Sequence, residues 1–354
     1  MVNLYMSYIR NVFLVTALLA VFFSALPDDV TCQESIESRK NAIIQDGLRL
    51  VYSAHYEKAI QQFRKLDEID PESAEGIFFE AFVLELIMDV YRSQVFDDSL
   101  NAVTDRAIER AKNAVEENPS ARNFMFLGGA YGVRGVRKGI LGNWFGAYLD
   151  GRRAFKAMEE TVKIDQTQYD CYYGIGSYHY WSTKKLRRFF FFLPDRREQG
   201  INELDLAIKR GVFAETPGQM ALFRIYLEEK WYDKVVQLAE SVLEKNPEHL
   251  FPRWYLGVAL VRTEQWEKSR DNYQKIMEFI PKIEFRGIEA DIEAAYYLGL
   301  SYYNLGELEK AKELIGTIPQ YAGSVNTQLF YYDSYIKDST DLLNEIEKKR
   351  ASRQ

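Results

Sequence analysis

The sequence predicts an all-α solenoid of about seven stacked helix pairs ended by a C-terminal capping helix, and three observations carry that prediction. First, stretches of helical character close at Pro71, Pro119, Gln166, Val212, Pro247 and Pro281, in steps of 48, 47, 46, 35 and 34 residues. Self-similarity at such a period marks stacked repeats. Second, residues 255–281 (YLGVALVRTEQWEKSRDNYQKIMEFIP) read as helix, short turn, helix and proline stop, and residues 297–315 (YLGLSYYNLGELEKAKELI) repeat the design. Third, 47% hydrophobic and 27% charged residues over 354 positions are ordinary globular proportions, which exclude a disordered or collagen-like chain. A net charge of −7 argues against nucleic-acid binding driven by overall charge.

Taken along the chain, the first element is an address. A short polar lead ends at Arg10, and an apolar run of 15 residues follows from Val12 to Leu26. That length suits the apolar region of a secretory signal and is short for a helix that spans a bilayer. Pro27, Asp28 and Asp29 end any helix there. Residues 1–26 are therefore expected to be a signal peptide and residues 27–39 a linker. An uncleaved anchor and a lipid attachment at Cys32 are the competing readings. The cut after Ala25 would have Phe23 where a small residue is preferred, and Asp29-Val30-Thr31 lacks the apolar residue expected before a lipidated cysteine. All three readings place the body of the protein outside the cytoplasm, in a periplasmic or similar compartment.

The repeats follow over residues 40–320. The first holds Gly47, Ala59, Phe63 and Pro71, and the second Ala81, Ala107, Ala111, Ala114 and Pro119. Gly129, Ala154 and Met158 belong to the third, and Gly176, Gly200, Leu204 and Ala207 to the fourth. Phe223, Tyr226, Ala239 and Pro247 mark the fifth, while Gly257 and Gly299 anchor the sixth and seventh. This pattern resembles the tetratricopeptide repeat, which wants a Leu-Gly pair and an aromatic on helix A, then Ala, a large apolar residue and a closing Pro on helix B. The resemblance is specific in repeats one, six and seven and degenerate between them. It implies a right-handed superhelix in which neighbouring pairs bury one another's apolar faces. Against a 34-residue period the second, third and fourth repeats carry 14, 13 and 12 extra residues, over about 74–214. The extra residues are expected to lengthen the helix pairs. Residues 321–354 read as the polar-faced cap and tail that end a solenoid.

Two segments depart from the pattern. Residues 128–153 contain eight of the chain's 21 glycines, at a cost of roughly 0.5–1 kcal/mol for each one inside a helix. Either small-residue helix faces pack closely there, or the backbone must approach a ligand. Residues 180–197 place Lys184, Lys185, Arg187 and Arg188 before Phe189–Phe192, with Pro194 closing the run. Either those rings are buried between long helices, or 184–193 meets a partner or a membrane interface, where basic and aromatic residues mix. Residues 131–200 carry 13 Lys/Arg and 7 Asp/Glu, so this window is +6 in a chain that is otherwise −13.

Nothing in the sequence spells out a reaction. His55, His179 and His249 lie in different repeats without metal-ligand spacing, and two cysteines, Cys32 and Cys171, can make at most one disulfide. No catalytic, metal or cofactor site is expected, and the chain reads as non-enzymatic. What remains is binding by shape. The resemblance implies a concave groove lined by the inner helices, and carries that lining onto Phe126, Tyr173, Tyr180, Met220, Arg224, Phe251, Trp254, Tyr296 and Tyr303. These residues, flanked by Lys184, Lys185, Arg187 and Arg188, would hold a protein or peptide segment. Tyr and Trp suit such a surface because each has a large apolar face and one hydrogen-bonding tip. The alternative is an accessory of envelope transport holding a small apolar solute or lipid. A closed, filled groove would favour the solute and an open aromatic trough the scaffold. If the apolar run is a cleaved signal, N-terminal sequencing of the mature protein should start between Leu26 and Gln33, whereas an intact Met1 in the membrane fraction means an anchor.

Overall fold

A computed structural model describes residues 35–187, 190–282, 285–324 and 332–352. The signal, most of the linker, Cys32, Arg188, Phe189 and the start of the capping segment lie outside the described residues. The chain divides into two compact units, residues 1–42 and 43–354. Of the first, the described part is a short lead into helix α1 and that helix's opening turns; the second contains the repeats.

Fifteen α-helices occur among the described residues, and no strand. They form seven antiparallel A–B pairs: α1 (Ile36–Tyr52) with α2 (Tyr56–Ile69), α3 (Glu75–Val90) with α4 (Asp97–Glu117), and α5 (Ala121–Ile140) with α6 (Trp144–Ile164). Then come α7 (Cys171–Leu186) with α8 (Arg197–Arg210), and α9 (Glu215–Glu228) with α10 (Tyr232–Lys245). The last two pairs are α11 (Leu250–Arg262) with α12 (Trp266–Phe279), and α13 (Ile288–Asn304) with α14 (Leu308–Gly316). Helix α15 (Tyr332–Ala351) packs on the seventh pair as the cap. No described helix is long and apolar enough to cross a membrane.

Each pair is set by local chemistry. Helix α2 buries Tyr56, Ala59, Phe63 and Leu66, one apolar stripe at helical spacing. Ser120 caps α5 by accepting from the Asn123 N–H, and Asn143 caps α6 by accepting from Gly146. Among the described residues, the second position after helix A is in the left-handed region at Ala54, Arg92, Gly142, Lys230, Glu264 and Gly306. That conformation ends helix A and lets the chain reverse within a few residues. The two helices of a pair meet where helix A has no side chain. A Cβ at Gly47 would lie 2.3 Å from the Phe63 ring, one at Gly257 2.5 Å from the Tyr273 ring, and one at Gly299 2.6 Å from Ile315. The partner stands sixteen residues later in each case. In the third pair the residue facing Met158 is Gly128, and Gly129 faces Phe78. This corrects the sequence assignment by one position.

The longer repeats are only in part longer helices. Helices α4, α5 and α6 have 21, 20 and 21 residues, against 14 each in α9 and α10. The fourth pair does not follow, with 16 and 14 residues in α7 and α8. Among its described residues, 190–196 are not helical, because adjacent phenylalanines closed by Pro194 offer no helical stripe and no amide at the proline. The glycines of 128–153 serve packing and turning: Gly128 meets Met158, Gly135 would contact the Gly151 backbone at 3.4 Å, and Gly142 takes φ +76° in the turn.

The second unit also closes on itself. Helix α3 buries 11 of its 16 residues, among them Ile77, Phe79, Val83, Leu86 and Ile87, and leaves a narrow half-buried stripe of Phe78, Phe82, Glu85 and Asp89. Its C-terminal end packs on inner helices far along the chain. Trp254 Nε1 donates to the Val90 carbonyl at 2.9 Å, Arg92 pairs with Glu293 at 3.1 Å, and the Gly287 N–H donates to the Tyr91 carbonyl at 2.9 Å. Tyr56, Tyr91 and Phe285 form an edge-to-face cluster at the same seam.

Two glycine substitutions separate packing from propensity. Gly257→Ala drives a methyl into the fully buried Tyr273 and should cost about 1–3 kcal/mol in urea unfolding. Gly132 sits in α5 with nothing within 4 Å of a Cβ, so Gly132→Ala should gain about 0.5–1 kcal/mol.

Candidate functional site

Most of the groove positions predicted from the sequence are taken up by packing within the array. Five of the nine positions are core. Phe126 packs edge-on against Phe78 and Phe79, and Met220 is buried beside α3's cluster. Phe251 packs against Phe223 and His249. Trp254 is 1% exposed, with its indole N–H spent on Val90 and Arg92 over its ring at 5.0 Å. Tyr180 is fully buried, and its hydroxyl donates to Glu229 at 2.6 Å. At the far end the Tyr296 ring lies tilted against Tyr335, and Tyr303 donates to Glu345 at 3.2 Å with Lys349 over its ring, so α15 covers both. The open aromatic trough is therefore corrected to a filled one. Among the inner aromatics of the later pairs, Trp254 meets α3 at its C-terminal end.

Tyr173 and Arg224 behave differently. With Glu85, Asp89 and Tyr255 they form a half-buried polar cluster contributed by α3, α7, α9 and α11. Arg224 pairs with Asp89 at 2.7 Å. Burial would lower the Arg224 guanidinium, but Asp89, Tyr255, Glu85 and Tyr173 around it raise its pKa well above the usual value. Burial pushes the Tyr173 phenol up to about 12, against the pull of Arg224. Glu85 is raised to about 7, first by burial and then by the Asp89 carboxylate, with Arg224 and Arg137 acting in the opposite direction. Its Oε1 is shut off from solvent and accepts no hydrogen bond among the described residues. A buried acceptor without a donor costs about 1–3 kcal/mol, so this atom is primed to receive one. Glu85 was not singled out in the sequence, where it reads as one more charge on a helix.

The basic flank is largely spent inside the protein. Lys184 pairs with Glu229 at 3.0 Å, and Arg187 donates to the Leu193 carbonyl and faces Asp195. Lys185 is exposed, with its ammonium 4.5 Å over the Trp144 ring, and Arg188 lies outside the described residues. More of the +6 window is absorbed at Asp150, which is buried between Arg134, Lys138 and Arg153. Burial alone would raise that carboxyl, but the three cations hold it at about 2.

The histidines take three separate roles. His55 is exposed at the start of α2, and His179 Nδ1 lies 2.7 Å from Glu203. His249 is half-buried against Tyr52 and Phe251, and burial lowers its pKa to about 4. Cys171 is a buried thiol raised to about 12 by burial. Among the described residues no three His, Cys, Asp or Glu converge as a metal site would require.

The model of the tetratricopeptide repeat family matches residues 293–319, most of helix α13 and all of α14. Among curated proteins no sequence relative matches. Similar solved structures include a thermophilic TPR protein of Thermus thermophilus, at 16% identity and TM-score 0.41, covering 63% of this chain and 99% of that one. The C-terminal part of a TPR repeat-containing protein of Cytophaga hutchinsonii is similar at 17% identity and TM-score 0.40, over 82% of this chain and 98% of its own. A third is the TPR2AB domain of yeast Sti1 in complex with pHSP90, at 12% identity and TM-score 0.27, over 86% and 99%. The family's model thus matches one stretch, the seventh helix pair, and six further helix pairs are stacked before it.

Proposed function

We propose that the protein is a non-enzymatic scaffold of the cell envelope that holds a protein or peptide segment against the concave side of its array. The observation that carries this reading is the polar cluster of Glu85, Asp89, Tyr173, Arg224 and Tyr255, with its unpartnered carboxylate oxygen. A peptide offers what that oxygen lacks: backbone N–H groups, or the ammonium or guanidinium of a basic side chain. The repeat type supports the same reading, since arrays of this family recognise protein segments through their inner helices. The envelope address rests on the apolar run from Val12 to Leu26. The filled centre favours the competing reading, carriage of a small apolar solute. Against it, the accessible part of that centre is made of carboxylates, phenols and a guanidinium, which suit a hydrogen-bonding ligand better than an apolar one.

A photo-crosslinking residue placed at Tyr173 or Tyr255 in the native host should give an adduct of protein mass. An adduct of lipid or small-solute mass would instead favour solute carriage. Glu85→Gln should weaken capture of the protein adduct by about tenfold or more, the worth of a hydrogen bond to a charged group. The same variant has a pH signature in the free protein. Because folding raises the Glu85 pKa from 4.5 to about 7, its contribution to stability is fully present below 4.5 and is lost as pH rises through 7. Glu85→Gln should therefore match the wild type near pH 4.5 and melt higher than it at pH 8, by about 2–4 °C for each kcal/mol recovered. Equal melting differences at both pH values would contradict the burial of an unpartnered carboxylate.

A further inference from the structure

We propose that the edge formed by the A–B turns of the third, fourth and fifth pairs docks on an anionic phospholipid membrane. This edge is separate from the concave cluster. Of the ten large apolar side chains exposed among the described residues, six lie on these three turns: Trp144, Phe145, Phe190, Phe191, Phe192 and Trp231. Phe145, Phe191 and Phe192 are 74%, 81% and 72% exposed, and Phe190 and Phe191 each have Phe192 as an edge-on ring neighbour.

Polar contacts hold the three turns side by side. The Lys185 ammonium at the end of α7 sits 4.5 Å over the Trp144 ring at the start of α6. Lys184, on the same turn of α7, reaches Glu229 after α9 at 3.0 Å, and Arg197 of α8 reaches the same carboxylate at 3.3 Å. The rings are thus a row along one edge and not accidents of three unrelated loops.

The charge at that edge selects an anionic partner. Its carboxylates Asp195, Glu228 and Glu229 are each engaged by Lys184, Arg187 or Arg197, and the exposed Glu198 and Asp233 are outnumbered by Lys185, Arg196, Lys230 and Lys234. Lys185, Lys230 and Lys234 are exposed, and the contacts of Lys185 and Lys234 are with the Trp144 and Trp231 rings, not with carboxylates. Each of these turns therefore presents an apolar ring at or near its apex with a cation just behind it. That is the layering of a bilayer interface, where rings enter the headgroup boundary and lysines stay among the phosphates. A protein partner would need a rigid pocket for each of several convex tips, whereas a fluid surface accepts them all without one.

The test uses the full chain and vesicles of phosphatidylcholine with and without phosphatidylserine. The run 12–26 can itself enter a bilayer, so the readout is the increment in binding caused by phosphatidylserine. That increment should fall steeply as salt is raised. Phe191→Ser with Phe192→Ser, or Lys185→Glu with Lys230→Glu, should reduce it by about tenfold or more. All four side chains are exposed, so the fold should be unaffected, as melting curves will verify. Ile164→Ser, an exposed apolar residue at the opposite end of α6, should leave the increment unchanged. Brominated lipid should quench wild-type tryptophan emission more than that of Trp144→Phe. The proposal is overturned if phosphatidylserine adds no binding, or if the paired variants bind like the wild type. It is equally overturned if Trp144 stays unquenched while the phenylalanine substitutions abolish binding to a protein partner.

Discussion

Helix α3 gives water only a narrow stripe that holds Glu85 and Asp89, and the second unit packs around the rest of it. In an ordinary stacked array an inner helix is covered by its neighbours on one side and solvated on the other. Here Phe79, Val83, Leu86 and Ile87 are buried together, and the groove side is covered by residues from the fifth to seventh pairs. Burying an apolar side chain of this size is worth about 1.5–3 kcal/mol, so covering both sides of one helix outweighs the ordering of the seam that does it. The polar contacts at the seam, such as Trp254 with Val90 and Arg92 with Glu293, then fix how the covering elements sit.

That closure also explains where charge is left over. The basic excess of the central repeats is mostly internal, with Asp150 alone neutralising three cations and Glu229 engaging Lys184 and Arg197. Two places depart from this economy. On the concave side, Glu85 is caught between burial and the Asp89 carboxylate. Along the A–B turns, lysines stand beside exposed rings without a carboxylate. Both are local inconsistencies in an otherwise self-consistent structure, and functional surfaces tend to sit at such places.

Much of the pairing was legible in the sequence because it is local. Gly47 and Phe63, Gly257 and Tyr273, Gly299 and Ile315 meet within one helix hairpin, so spacing alone brings them together. The glycine-rich stretch was legible in kind but not in register, since Gly128 and Gly129 differ only in which neighbour each meets. The closing seam was not legible, because Arg224 and Asp89 are 135 residues apart and Arg92 and Glu293 are 201 apart. No repeat-level pattern encodes such contacts. One signal was present: residues 77–84 (IFFEAFVL) interrupt their apolar character once, too little for a helix that lines an open groove. The fourth repeat misled in another way, because its extra length reads the same whether it extends helices or builds the non-helical stretch 190–196.

Native-state hydrogen exchange across the array tests the central claim, the burial of α3 on both sides. In an open stack, pairs near an end unfold locally and exchange early. If α3 is the shared core of the first two and last three pairs, the amides of 79–90 should exchange only through global unfolding, at the same slow limit as those of α11. Exchange of α3 through a separate, cheaper opening, with α11 still protected, would contradict the account.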